Sequence, residues 1–120
     1  MSYKNLEIYN LSLELFYRVH SLSLQLPKYE LFELGSQIRR SADSVVSNIV
    51  EGYGRRMYKA EYVRFLIFAH SSNDETINHI IKIKTLYPDL REDFQKMEDE
   101  YNSLGAKINA YIKYVQNNWN

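Results

Sequence analysis

The sequence predicts an all-α protein, an antiparallel up-down-up-down four-helix bundle. Three observations predict it. Apolar residues recur at steps of three and four in four successive stretches, the buried stripe of amphipathic helices, and no stretch alternates as a strand does. Only 2 Pro and 4 Gly punctuate 120 residues, so elements are few and long. The links between the four stretches are short, and short links force antiparallel neighbours. With 45% hydrophobic and 25% charged residues, one domain over residues 1–120 around one core is expected.

Helix 1 is predicted from about Leu6 to Gln25, with Asn5 as N-cap. It carries two apolar stripes, Leu6, Tyr9, Leu13, Phe16/Tyr17, His20 and Leu24, then Ile8, Leu11, Leu15, Val19, Leu22 and Leu26. A lone bundle needs only one buried stripe per helix, and soluble monomers rarely expose a second. Sister copies are therefore expected to cover the surplus. Pro27 breaks this helix.

Helix 2 is predicted from Leu31, on the seam Leu31, Leu34, Ile38, Ala42, Val45, Ile49 and Gly52/Tyr53. Gly52 and Gly54 should end it in the left-handed conformation, with Arg55 and Arg56 at the negative end of its dipole. Helix 3 should run from Tyr58 to Leu86 on Tyr62, Phe65/Leu66, Ala69, Ser72/Asn73, Thr76, Ile80, Ile83 and Tyr87. Ser72 and Glu75 have capping-box spacing, which would start a new helix, but the apolar phase runs through them and one helix is expected. Pro88 stops it. Asp89 should cap helix 4, with Glu92 as reciprocal partner, on the seam Leu90, Phe94, Met97, Tyr101, Leu104, Ile108, Tyr111/Ile112 and Val115. Gly105 marks close packing, and Asn117 to Asn120 should fray.

Composition excludes several function classes. Cysteine is absent, so there are no disulfides, thiolate metal sites or cysteine nucleophiles. No apolar run reaches the roughly 20 residues of a membrane span, and no signal-peptide pattern opens the chain, so a cytoplasmic protein is expected. Lys and Arg number 15 and so do Asp and Glu, which argues against a protein that coats nucleic acid.

Few constellations suggest chemistry. His70/Asp74 and Glu75/His79 are i, i+4 pairs, but helix 4 has no His and helix 2 offers only Glu51, so no metal or other cofactor is expected. His20, on an apolar stripe, reads as a core histidine. Ser44, Ser71 and Ser72 lie inside helices without a nucleophile elbow, so no catalytic residue is assigned. A polar stripe flanks the seam of helix 2, and Gln37, Ser44, Asn48 and Glu51 could meet Ser72 and Glu75 of helix 3. Such a layer reads first as a register-fixing hydrogen-bond network and second as a ligand pocket. Arg39, Arg40, Arg55, Arg56, Lys59 and Arg64, interleaved with Tyr53, Tyr58 and Tyr62, form the candidate nucleic-acid surface. Asp43, Glu51 and Glu61 in the same region offer the alternative of a salt-bridged face.

Glu30, Leu34, Gln37, Arg39-Arg40, Ser44, Asn48-Ile49, Glu51-Gly52 and Gly54-Arg55 resemble the signature of a bacterial four-helix-bundle family. Its genes were first noticed within intervening sequences of 23S ribosomal RNA. The likeness runs from about Tyr3 into the last helix, with Leu26, Val50 and Ser71 standing where Phe, Ala and Gly are usual. The resemblance implies a homopentamer without catalytic activity. It also implies a fold similar to the accessory protein of diversity-generating retroelements, which engages nucleic acid and a reverse transcriptase. The expected function is a non-enzymatic, self-assembling scaffold or adaptor whose partners are itself and RNA or a nucleic-acid enzyme. The alternative is a protein-binding module with no nucleic-acid role. Neither a membrane nor a small-molecule substrate is expected.

Overall fold

A computed structural model describes residues 2–120. Its α-helices are α1 (Glu7–Ser23), α2 (Leu34–Gly54), α3 (Lys59–Leu86) and α4 (Arg91–Asn118), with 3-10 turns at Tyr3–Asn5, Lys28–Glu30 and Pro88–Leu90. Among the described residues there is no strand. At 1.5 Å per residue a 28-residue helix is about 42 Å long, which accounts for a molecule of 48 × 22 × 20 Å. Packing runs α1 on α2, α2 on α3, α3 on α4 and α4 back on α1. Early α3 meets late α2 and late α4, through Tyr62 against Tyr53 and Tyr111. Late α3 meets early α4, where Lys84 pairs with Glu98 at 2.7 Å.

The core follows the periodicity. Ile38, Ala42, Val45 and Ile49 from α2, Tyr62, Leu66, Ile80 and Ile83 from α3, and Phe94, Tyr101, Leu104 and Ile108 from α4 are all buried. α3 is continuous through Ser71–Glu75, because Asn73 and Thr76 keep the seam's phase and both are buried with partners. Of the two stripes on α1, the one with Ile8, Leu15, Val19 and Leu26 faces inward. Tyr9, Leu13 and Phe16 of the other are half-covered, Tyr17 and Leu24 are exposed, and His20 is exposed and so is not a core histidine.

The helix ends differ from expectation. Neither Asn5 nor Asp89 caps a helix, because each lies within a 3-10 turn that delivers the chain into the next helix. α2 starts at Leu34, three residues late, since Lys28–Glu30 forms its own turn and Glu30 reaches forward to the Leu34 N–H at 3.5 Å. No glycine is left-handed among the described residues. Gly52 lies within α2, and a Cβ there would lie 3.0 Å from the Phe65 Cβ, so its role is close approach of α3. The helix is ended by tight backbone bonds, Arg55 N–H to Gly52 and Arg56 N–H to Tyr53. α4 extends to Asn118, and Trp119 is docked: its Nε1 donates to the Arg56 carbonyl at 3.1 Å and its ring packs edge-on to Tyr62.

Candidate functional site

The polar stripe of α2 does meet α3, with a narrower membership than its spacing suggests. Ser44 Oγ lies 2.9 Å from Ser72 Oγ, and the Asn48 amide donates to both the Ser44 carbonyl and hydroxyl. Thr76 donates to Ser41 Oγ at 2.8 Å, and Ser41 donates to the Ile38 carbonyl. Gln37, Glu51 and Glu75 remain exposed outside this layer. The reason is reach: the seam between two close helices admits short hydroxyls and one amide, while longer side chains at its rim extend into water. Glu51 pairs with Arg55 at 3.6 Å, and Glu75 lies 3.9 Å from His79 Nε2. Burial holds the His79 imidazole below its ordinary pKa, against the opposing pull of Glu75.

The six candidate cations do not form one surface. Arg39 lies near the start of α2 and Arg55 follows its last residue, sixteen positions on, about 24 Å along the axis. Arg39 is committed internally: Nη1 donates to Ser23 Oγ at 2.9 Å and Nη2 to the Leu31 carbonyl at 2.7 Å, fastening α1 and the following link to α2. A Cβ at Gly35 would sit 2.9 Å from that Nη1 and 2.8 Å from the Glu30 carbonyl oxygen, so glycine makes room for the clamp. Arg40, next in sequence, is exposed and has no ion-pair or hydrogen-bond partner among the described residues.

The other four cations gather at the α2–α3 turn. Arg55 pairs with Glu51 and Glu61 and lies 4.7 Å above the Phe65 ring. Arg64 pairs with Glu61 and covers Phe65 and Phe68. Arg56 donates to the Tyr53 carbonyl and stacks 4.1 Å over the Tyr53 ring. Lys59 donates to the Gln116 carbonyl at 2.7 Å. Beneath them Tyr53, Tyr62, Tyr111 and Trp119 pack together, with Tyr62 and Tyr111 hydroxyls 2.8 Å apart. Burial and that hydrogen bond push the Tyr62 phenol well above the ordinary tyrosine value. Trp119 falls within Asn117–Asn120, which the sequence predicts to fray; its docking on the Arg56 carbonyl and Tyr62 corrects that expectation.

At the opposite end Glu30 is buried and pairs with no cation among the described residues. It accepts from the Tyr87 hydroxyl, which also meets the Tyr29 hydroxyl at 3.1 Å, and the carboxylate contact raises the Tyr87 pKa. Large apolar side chains remain in water in several places: Tyr17 on α1 and Leu24 at its end, Tyr29, Leu31 and Phe32 (83% exposed) in the α1–α2 link, Met57 and Tyr58 at the α2–α3 turn, Ile67, Phe68, Ile81 and Leu86 on α3, and Tyr114 on α4. Among the described residues no group of three or more His, Asp or Glu could hold a metal ion, and no helix is long and apolar enough to cross a membrane.

The fold has a solved counterpart. A protein of unknown function from the S23 ribosomal protein family of Bacteroides thetaiotaomicron matches 88% of this chain and 98% of its own, with a TM-score of 0.75 and 22% identity. That likeness shows the fold. No curated protein matches the chain. The family model described as 23S rRNA-intervening sequence protein matches residues 4–110. Nearly the whole bundle, including the Arg39 clamp, the Ser44–Ser72 layer and the cationic turn, lies within that match, and the chain belongs to the 23S rRNA-intervening sequence protein family.

Proposed function

We propose that this chain is a non-enzymatic, cytoplasmic scaffold: an antiparallel up-down-up-down bundle that assembles with copies of itself, as a pentamer by the family resemblance. The observation that carries the reading is the placement of exposed apolar side chains on two helices that do not touch. α1 and α3 each pack on α2 and α4 and not on one another, so they occupy diagonal corners and their outer faces look in opposite directions. One face offers Tyr17 and Leu24, the other Ile67, Phe68 and Ile81. Two unlike faces on opposite sides favour a heterologous contact, which closes into a ring when the rotation allows. Size favours the sides over the ends. A long side of a 48 × 20 Å rod offers about 1,000 Å² per copy, the scale of a stable interface, whereas an end offers about 400 Å².

The partner is read as protein first and RNA second. Five of the six candidate cations already satisfy carboxylates, carbonyls or ring faces within the molecule, and net charge is zero. The ribosomal name of the solved relative keeps RNA in view, and the surface for it is Arg55, Arg56, Lys59 and Arg64 at the turn, with Arg40 apart.

Sedimentation at two protein concentrations tests assembly. The wild type is expected to be oligomeric at micromolar concentration, and Phe68→Glu and Tyr17→Glu are each expected to be smaller. Mixing the two variants should give a dimer, since one intact pair of unlike faces remains. A monomeric wild type would remove the proposal. RNA binding measured against salt, wild type beside Arg55→Ala/Arg56→Ala, tests the second reading; no binding leaves the protein-binding module.

A further inference from the structure

The α1–α2 and α3–α4 links lie at the same end of the bundle, where the Tyr29 and Tyr87 hydroxyls are 3.1 Å apart. Four large apolar side chains stand in water there, Tyr29, Leu31 and Phe32 on the first link and Leu86 at the close of α3. The link that carries them is held from beneath. Glu30 is buried and accepts from the Tyr87 hydroxyl, and Arg39 donates to the Leu31 carbonyl at 2.7 Å. The patch is therefore presented on a fixed frame, which lowers the ordering cost of a contact. Four charges surround it, Lys28 and Glu33 on the first link and Asp89 and Arg91 around the second. Each is exposed and pairs with no opposite charge among the described residues. Two are positive and two negative, so the rim has no net attraction for nucleic-acid phosphate or an anionic lipid surface. An identical rim turned through a two-fold axis suits it better, because Lys28 can then face Glu33 of the opposing copy.

We infer that this end is where two rings of copies meet face to face, each patch seated on the same patch of a copy in the facing ring. The inference rests on the ring proposed above. Long sides of 48 Å rods touch along their length only when the rods stand roughly parallel to the ring axis, and rotation about that axis keeps their direction. Every copy then turns its two links to the same face of the ring. Area decides against a simple end-to-end dimer. One pair of ends buries about 800 Å² in total, the scale of a packing contact, whereas five pairs bury about 4,000 Å², the range of permanent assemblies. Linking the ends within each ring also makes every contact after the first intramolecular.

The test is the copy number of the intact protein by native mass spectrometry and light scattering. The wild type is expected to hold about ten copies and Phe32→Glu about five, with an unchanged circular dichroism spectrum because Phe32 is 83% exposed. Glu33→Lys sets lysine against lysine across the two-fold and should also halve the mass. Lys28→Glu/Glu33→Lys restores opposite signs and should return about ten. A wild type of five copies, a Phe32→Glu variant that still holds ten, or a charge swap that fails to restore ten would overturn the inference and leave the ring standing. Five-copy rings that float with phosphatidylcholine vesicles only when Phe32 is intact would give the patch to a membrane and likewise overturn it. A monomeric wild type would remove both the ring and the stack.

Discussion

Arg39 and Arg40 are adjacent, carry the same charge and belong to the same motif, yet a single-site comparison should separate them sharply. In Arg39→Ala two hydrogen bonds are lost and the Leu31 carbonyl and Ser23 hydroxyl lose their donor. Hydrogen bonds from a charged donor contribute about 1.5–3 kcal/mol when buried, and the half-exposed setting here reduces each to about 1–1.5. The expected loss is therefore roughly 2–3 kcal/mol, which in a domain of this size lowers Tm by about 10 °C. Arg40→Ala removes an exposed side chain with no partner and should stay within about 0.5 kcal/mol of wild type. Arg39→Lys should recover less than half of the loss, because an ammonium cannot span two acceptors as a planar fork does. Urea unfolding by circular dichroism at one fixed protein concentration reads all three, as a change of midpoint at constant slope. Equal effects of the two alanine substitutions, or full stability in Arg39→Lys, would refute the clamp.

Tyr101 and Tyr62 should respond oppositely to loss of their hydroxyls. The buried Tyr101 hydroxyl has no partner, so Tyr101→Phe should be neutral or up to about 1 kcal/mol more stable, whereas Tyr62→Phe breaks the Tyr111 bond and should cost about 1 kcal/mol. Burial raises the folded pKa of both phenols above the ordinary value near 10, so their contribution is complete below about pH 10 and lost as pH rises through the folded values. The share of phenolate absorbance that is missing in Tyr62→Phe and Tyr101→Phe should therefore appear together with unfolding. The lowered pKa of His79 acts on the acid side, its contribution being present above about pH 6.5 and lost as pH falls, so His79→Leu should flatten the urea midpoint between about pH 7 and 5. Trp119→Ala should cost about 1–2 kcal/mol and speed amide exchange at Arg55–Tyr58, since it unfastens the turn from the aromatic cluster. Unchanged exchange there would show that the turn holds without the indole.

Periodicity made the interior legible because burial is a collective property of many residues. Ile38, Ala42, Val45 and Ile49 are buried as their spacing requires, and so are Phe94, Met97, Tyr101 and Leu104. The continuity of α3 through Ser71–Glu75 was readable for the same reason: the phase of the seam outweighs one local capping signal. Helix ends were not legible, because a cap depends on a few backbone angles. Asn5 and Asp89 have the right chemistry, but 3-10 turns occupy their positions. The cationic set failed as one surface because a sequence window hides axial distance, and α2 carries Arg39 and Arg55 to different ends. Trp119 was invisible to any local rule, since what holds it is a carbonyl 63 positions away.

The motif that identifies the family is largely consumed by the bundle itself. Glu30 meets the first turn of α2 and Tyr87, Arg39 clamps α1 to α2, Ser44 joins α2 to α3 with Asn48 donating to it from the same helix, and Gly52 admits α3. Each is inward-facing or satisfied, so each is explained by folding before any ligand is invoked. A motif spent in this way specifies the fold and leaves recognition to surfaces that it does not include. Those surfaces include the apolar side chains left in water on α1, on α3 and in the α1–α2 link. Substitutions there should change what the protein binds without changing how it unfolds, and substitutions in the motif should do the reverse. The contrast separates a scaffold from a protein whose signature is its binding site.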